Sequence, residues 1–154
     1  MPLYHLDTSA LAKRYVPERG SSWIKTLAAT ETISISALAT AELASLLGRR
    51  SREGQLSSDQ SRQTYQSFLQ DRPQYQVLPI DDGLIHDAAD LLLRGGGVPA
   101  LRALDALQLI AARRALARAA SSGASTGVFV SADRRLLEAA AALGLSTDNP
   151  EDHE

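Results

Sequence analysis

The chain contains no cysteine. That excludes disulfides, thiolate metal sites and cysteine nucleophiles, and it suits a reducing cytoplasm. There is no apolar run long enough to cross a bilayer. The first residues lack the basic stretch and long apolar core of a signal peptide. A cytoplasmic protein with no membrane partner is therefore expected. Net charge is also small: 16 Lys and Arg stand against 18 Asp and Glu, giving −2. Any nucleic-acid surface must then be a local basic patch. Histidine is scarce; His5 and His86 read as structural, and His153 lies near the end. No internal repeat or linker is visible. With 154 residues, 44% of the chain apolar and 22% charged, one domain with a sizeable core is expected.

What is present is an alternation of short apolar runs and helical patterns. Residues 3–6 read as a strand ending at Asp7-Thr8-Ser9, followed by a helix over 10–15 capped by Thr8 or Ser9. Further strands are expected over 32–36, 76–80, 127–130 and 145–147. Further helices are expected over 23–29, from Leu38 towards Gly54, from a Ser57-Ser58-Asp59 cap towards Asp71, from Asp81-Asp82 along a stripe of Leu84, Ile85, Ala88, Ala89 and Leu92, over 101–120, and over 134–143. Loops fall at 94–99 and 121–126. The pattern gives an α/β domain over 1–147: a mainly parallel central sheet of four to five strands with helices on both faces. The acidic tail, 148–154, is expected to fray.

Four acids stand in unusual places. Asp7 and Asp133 each end an apolar strand, and parallel strands of one sheet bring such ends to one edge, where α/β ligands bind. Asp105 falls on a helical stripe with Leu101, Leu109, Ala112 and Leu116, away from Arg113, Arg114 and Arg118. Glu42 lies between Leu38 and Leu46. A carboxylate facing an apolar core is costly unless paired or metal-bound. Each acid also has a bland alternative: Asp7 and Asp133 as helix caps, Asp105 and Glu42 as partners of Arg102 or Arg49. Oxygen ligands without His or Cys suit Mg²⁺, with Mn²⁺ able to substitute.

Leu6-Asp7-Thr8-Ser9-Ala10-Leu11, Ala41-Glu42-Leu43, Leu104-Asp105-Ala106-Leu107-Gln108-Leu109, Ser131-Ala132-Asp133-Arg134-Arg135-Leu136 and Asn149-Pro150-Glu151 occur in this order over nearly the whole chain. This set resembles the PIN-domain ribonucleases, most closely the VapC-like toxins of bacterial toxin–antitoxin pairs. One departure is visible: Gln108 stands where many relatives have histidine, and Gln cannot titrate near neutral pH.

The resemblance implies a Mg²⁺- or Mn²⁺-dependent endoribonuclease. Asp7 and Asp105 would be the principal metal ligands, with Glu42 and Asp133 binding directly, through water, or to a second ion. Thr8, Ser9, Gln108 and Ser131 would orient carboxylates or metal-bound water. Cations near the acids would carry the RNA backbone: Lys13 with Arg14, Arg49 with Arg50 and Arg52, Arg134 with Arg135. The implied partners are a small antitoxin, whose C-terminal segment crosses the site, and RNA. Apolar residues of the early helices, including Leu27 and Leu47, suggest a homodimer. Two rivals remain: a haloacid-dehalogenase-type phosphatase, which needs an acid where Ser9 stands, and a PIN-like scaffold that only binds RNA or protein.

Overall fold

The computed structural model describes residues 2–95, 98–123 and 126–153. The first apolar run, Leu3–Leu6, is β1, the central strand of a five-stranded sheet. The others are β2 (Thr32–Ser36), β3 (Gln76–Leu78), β4 (Gly127–Val130) and β5 (Thr147–Asp148), in the order β3-β2-β1-β4-β5. Every pairing is parallel. Parallel neighbours need crossovers, and the chain supplies helices between the strands. These are α1 (Thr8–Tyr15), α2 (Ser21–Thr30), α3 (Leu38–Arg52), α4 (Ser58–Asp71), α5 (Asp82–Arg94), α6 (Ala103–Ser121) and α7 (Arg134–Ala142).

Register assigns each strand residue to a face. Leu3 lies between Thr32 and Gly127, His5 between Ser34 and Phe129, and Leu6 between Ile35 and Val130. Alternation then sends Leu3, His5 and Phe129 one way and Leu6, Ile33, Ile35 and Val130 the other. The first set packs under α5, α6 and α7 with Leu84, Leu109, Ile110 and Leu136. The second packs under α1 to α4 with Leu11, Ile24, Leu43 and Phe68. The result is the expected helix–sheet–helix sandwich. Buried His5 bonds through Nδ1 to Ser34 Oγ at 2.9 Å. Burial pushes its pKa down to about 3, so it is neutral at physiological pH and serves the packing.

Several expectations need correction. The α1 cap is Asp7 itself, whose Oδ1 accepts from Ala10 N at 2.9 Å; Thr8 and Ser9 already lie inside the helix. Strand β3 stops at Leu78, before Pro79. Helix α5 buries Leu84 and Ala88 and packs Leu91, while Ile85 and Leu92 face outward. Leu27 and Leu47 are 7% and 2% exposed. They belong to the core and offer no dimer surface. Of the two expected loops, residues 96–97 and 124–125 lie outside the described residues.

Residues 148–153 are not frayed. Asp148 belongs to β5, its carbonyl accepting from Ser131 N at 3.2 Å. Pro150–Asp152 forms a 3-10 turn, Asn149 is buried, and His153 stacks on Trp23 with ring centroids 4.1 Å apart. A Cβ on Gly20 would fall 2.5 Å from the Pro150 carbonyl oxygen, so this approach requires glycine. Composition misled because Glu151 is spent on buried Lys13, at 2.9 Å, rather than on water.

Candidate active site

The strand order reverses direction at β1. The chain runs β1 to β3 on one side, then returns to place β4 on the other. A crevice at the strand C-termini is expected at such a switch point. Asp7 follows β1 there, and Ser131 to Asp133 follow β4.

Asp7 is 4% exposed, and both of its carboxylate oxygens are hydrogen-bonded, Oδ2 by one donor alone among the described residues. Oδ1 accepts from Ala10 N and from Ser9 Oγ at 2.7 Å, and Oδ2 accepts from Ser131 Oγ at 2.6 Å. The two hydroxyls are 3.3 Å apart, and each also accepts a backbone N–H: Ala132 to Ser9, Asp133 to Ser131. Burial pushes the Asp7 pKa up to about 6. The hydrogen bonds from Ser131, Ala10 and Ser9 oppose the shift, and the Asp133 charge adds to it. No cation answers this buried acid: among the described residues, none of Asp7, Glu42, Asp105 and Asp133 forms an ion pair.

The other three acids share one arrangement. Glu42 Oε1 accepts from Gln108 Nε2 at 2.6 Å and Thr8 Oγ1 at 3.1 Å, and Gln108 Nε2 also reaches Thr8 Oγ1 at 3.1 Å. Asp133 Oδ1 caps α7, accepting from Arg135 N and Leu136 N. Asp105 Oδ2 accepts from Arg102 N at 3.2 Å. In each case one oxygen is anchored and the other, Glu42 Oε2, Asp133 Oδ2 or Asp105 Oδ1, takes no hydrogen bond from the described protein. Capping and ligation are therefore compatible. The bland alternative of an Arg102 or Arg49 ion pair is not found, because Asp105 meets the Arg102 backbone instead.

Asp105 is not in mid-stripe. Helix α6 starts at Ala103, so Asp105 lies in its first turn and is half-buried. Gln108 lies one turn further on and on the same side. Thr8, Ser9, Glu42 and Arg49 line a groove of about 460 Å³, with Leu46 and Leu104 as apolar walls. Leu104 is 49% exposed. An apolar residue left outward beside the first-turn acid is the signal that would have marked it as a wall. Another hollow, of about 450 Å³, opens at the opposite sheet edge by Thr32, Ser34 and Gln76; among the described residues no acid lines it.

The basic candidates separate. Lys13 is 2% exposed and clamped by Glu151 at 2.9 Å and Glu18 at 3.8 Å. Arg14 is held by Asp71 at 3.1 Å and the Tyr75 hydroxyl at 2.7 Å. Both cations are held by protein carboxylates, because α1 turns this end towards the C-terminal segment and α4. Arg49 is exposed in the groove. Arg134 is exposed; it lies 3.7 Å from Asp152, and its charge also acts on Glu151.

The residues fit a hard divalent cation in donor chemistry: oxygen only, unpaired, one oxygen free on each of three acids. Among the described residues, however, no three Asp, Glu or His side chains converge into a ready cage.

Comparison with curated proteins finds no match. Solved structures share the fold at low identity. VapBC2 from Rickettsia felis, bound to a DNA fragment from its promoter, is 17% identical, with 96% of this chain and 98% of that chain covered and a TM-score of 0.62. PAE2754 from Pyrobaculum aerophilum is 22% identical over 99% and 94%, TM-score 0.63. FitAcB from Neisseria gonorrhoeae is 18% identical over 100% of both chains, TM-score 0.59. The PIN domain model matches residues 4–142, a span holding all four acids and both halves of the crevice, and the chain belongs to the PIN domain family.

Proposed function

We propose that this protein is a Mg²⁺- or Mn²⁺-dependent endoribonuclease, a VapC-like toxin held in check by a small antitoxin. The observation that carries the reading is the buried Asp7 at the switch point, which has no ion-pair partner among the described residues and feels the charge of Asp133. A bound Mg²⁺ or Mn²⁺ would supply an activated water and charge stabilisation at phosphorus. Asp7 and Asp105 would hold the ion, with Glu42 and Asp133 as further ligands or outer partners. Ser9 and Ser131 aim Asp7; Thr8 and Gln108 aim Glu42. Gln108 does this without titrating, so the support it gives Glu42 does not change with pH.

Arg49 and Arg134 are the phosphate contacts in this reading. The groove between Glu42 and Leu104 is where an antitoxin segment lies, bringing a cation to acids that have none of their own. The shared fold of VapBC2 and FitAcB, taken with the motif resemblance to VapC-like toxins, is what suggests a protein partner here. A homodimer remains part of the proposal, now supported by the outward Ile85, Leu92 and Leu93 of α5. The test is incubation of the purified chain with single-stranded RNA in Mg²⁺, Mn²⁺ or EDTA. Metal-dependent loss of full-length RNA supports the reading; RNA intact in both metals refutes it. The phosphatase rival lacks its second acid, since Ser9 is a hydroxyl donor to Asp7.

A further inference from the structure

Helix α7 opens with two arginines, Arg134 and Arg135, directly after its Asp133 cap. Cations are unfavourable there, because the first turn is the positive end of the helix dipole. A residue that violates local preference calls for another role. Arg134 has Asp152 at 3.7 Å. Arg135 meets no carboxylate among the described residues. Its Nη2 donates instead to the carbonyl of Ala100, 2.5 Å away and 35 residues back in sequence. The backbone N–H of the same residue donates to Asp133 Oδ1 at 3.0 Å. Ala100 lies two residues before Arg102, whose own N–H donates to Asp105 Oδ2 at 3.2 Å. One residue thus holds Asp133 by its backbone and, by its side chain, the segment that delivers Asp105.

We propose that Arg135 is a positioning residue that fixes Asp105 relative to Asp133 by clamping the Ala100 carbonyl, and is not a phosphate contact. The catalytic consequence rests on the ribonuclease reading above; the clamp itself does not. A guanidinium N–H to a carbonyl is charge-assisted and directional. The clamp also explains why a cation is kept at an unfavourable helix position. Without it, the segment ahead of α6 loses this hydrogen bond to α7, and the placement of Asp105 relative to Asp133 loosens.

The experiment compares wild type, Arg135→Ala and Arg135→Lys. Amide hydrogen exchange of metal-free protein over 100–106 is read first. Exchange at Arg102 is expected to speed up by about tenfold in Arg135→Ala, equivalent to about 1.4 kcal/mol. Amides of β1 and β4 should be unchanged, and Arg135→Lys, which keeps a donor on a shorter arm, should be intermediate. Unchanged exchange at 100–106 in Arg135→Ala overturns the proposal, whatever the activity. RNA turnover is read second. A positioning role lowers kcat with KM within about twofold and weakens the Mn²⁺-induced thermal shift. A raised KM with kcat and the Mn²⁺ shift intact would make Arg135 a phosphate contact and overturn the proposal. If wild type shows no metal-dependent cleavage, the ribonuclease reading fails by itself, while the exchange data still judge the clamp.

Discussion

Replacing Asp7 by Asn should stabilise the metal-free protein. Burial lifts the Asp7 pKa from 3.8 to about 6. The native state therefore holds a proton that the unfolded chain has released between these values. A raised folded pKa contributes stability that is fully present below about 3.8 and lost as pH rises through about 6. A shift of roughly two units is worth about 3 kcal/mol in total, so wild type at pH 7.5 in EDTA carries a buried carboxylate costing about that much. Asn removes the charge and keeps the geometry. Its Oδ1 accepts from Ala10 N and Ser9 Oγ, its amide donates to Ser131 Oγ, and the freed Ser131 hydroxyl proton turns to Ser9 Oγ at 3.3 Å. Urea unfolding of both proteins in EDTA, at pH 7.5 and at pH 3.5, measures the effect. Asp7→Asn should be more stable by about 2–3 kcal/mol at pH 7.5, an upper value because the unfolded chain is partly compact, and equal to wild type at pH 3.5. Excess Mn²⁺ should then stabilise wild type far more than the variant, by about 2.7 kcal/mol at 100 times the dissociation constant. Identical unfolding midpoints at pH 7.5 in EDTA would refute the claim that Asp7 is a buried, uncompensated acid.

Other expectations follow from the same geometry. Arg49→Ala should weaken RNA binding and lower the salt slope by about one, whereas Arg14→Ala should leave binding alone; equal losses would make Arg14 a contact as well. Glu151→Gln, which strips the main partner from buried Lys13, should cost about 1–2 kcal/mol in chemical denaturation because Glu18 remains at 3.8 Å and Glu151 is partly solvated. Its RNA KM should not move. His5, whose folded pKa is depressed to about 3, contributes stability present above about 6.5 and lost as pH falls towards 3. His5→Asn should therefore flatten the acid side of the stability profile, and an unchanged profile would count against a neutral buried imidazole. Gln108→Leu should free Glu42 and lower kcat by about tenfold, a cost of about 1.4 kcal/mol, with little change in KM; full activity would show that Glu42 needs no support.

The fold was legible wherever local pattern and long-range packing agree. Strands leading into Asp7 and towards Asp133, and a cap within Ser57-Ser58-Asp59, follow from residue type alone; in the structure β1 ends at Leu6, β4 at Val130 three residues before Asp133, and Ser57 is the cap of α4. Three features were hidden for physical reasons. The start of α6 two residues later than expected moves Asp105 from mid-stripe to the first turn, and a periodic pattern cannot locate a helix end. Lys13 looks like any solvated cation until Glu151 arrives from the far end of the chain. The outward turn of Ile85 and Leu92 depends on which face of α5 meets α6, where Arg114 pairs with Asp81 and Asp87 at 3.0 and 2.8 Å. At the site, the identity of the acids was readable. Which oxygen of each is anchored and which is free was not, since that depends on Thr8, Gln108 and Ser131 approaching from other elements.

Cleavage of a circular single-stranded RNA tests the central claim most directly, because a circle offers no ends and reports only internal cutting. Wild type in Mg²⁺ or Mn²⁺ should linearise it, EDTA should stop the reaction, and folded Asp105→Asn and Asp7→Asn variants should be inactive. An intact circle with wild type, or linearisation that persists in EDTA or in both variants, would contradict a metal-dependent endoribonuclease built on these acids.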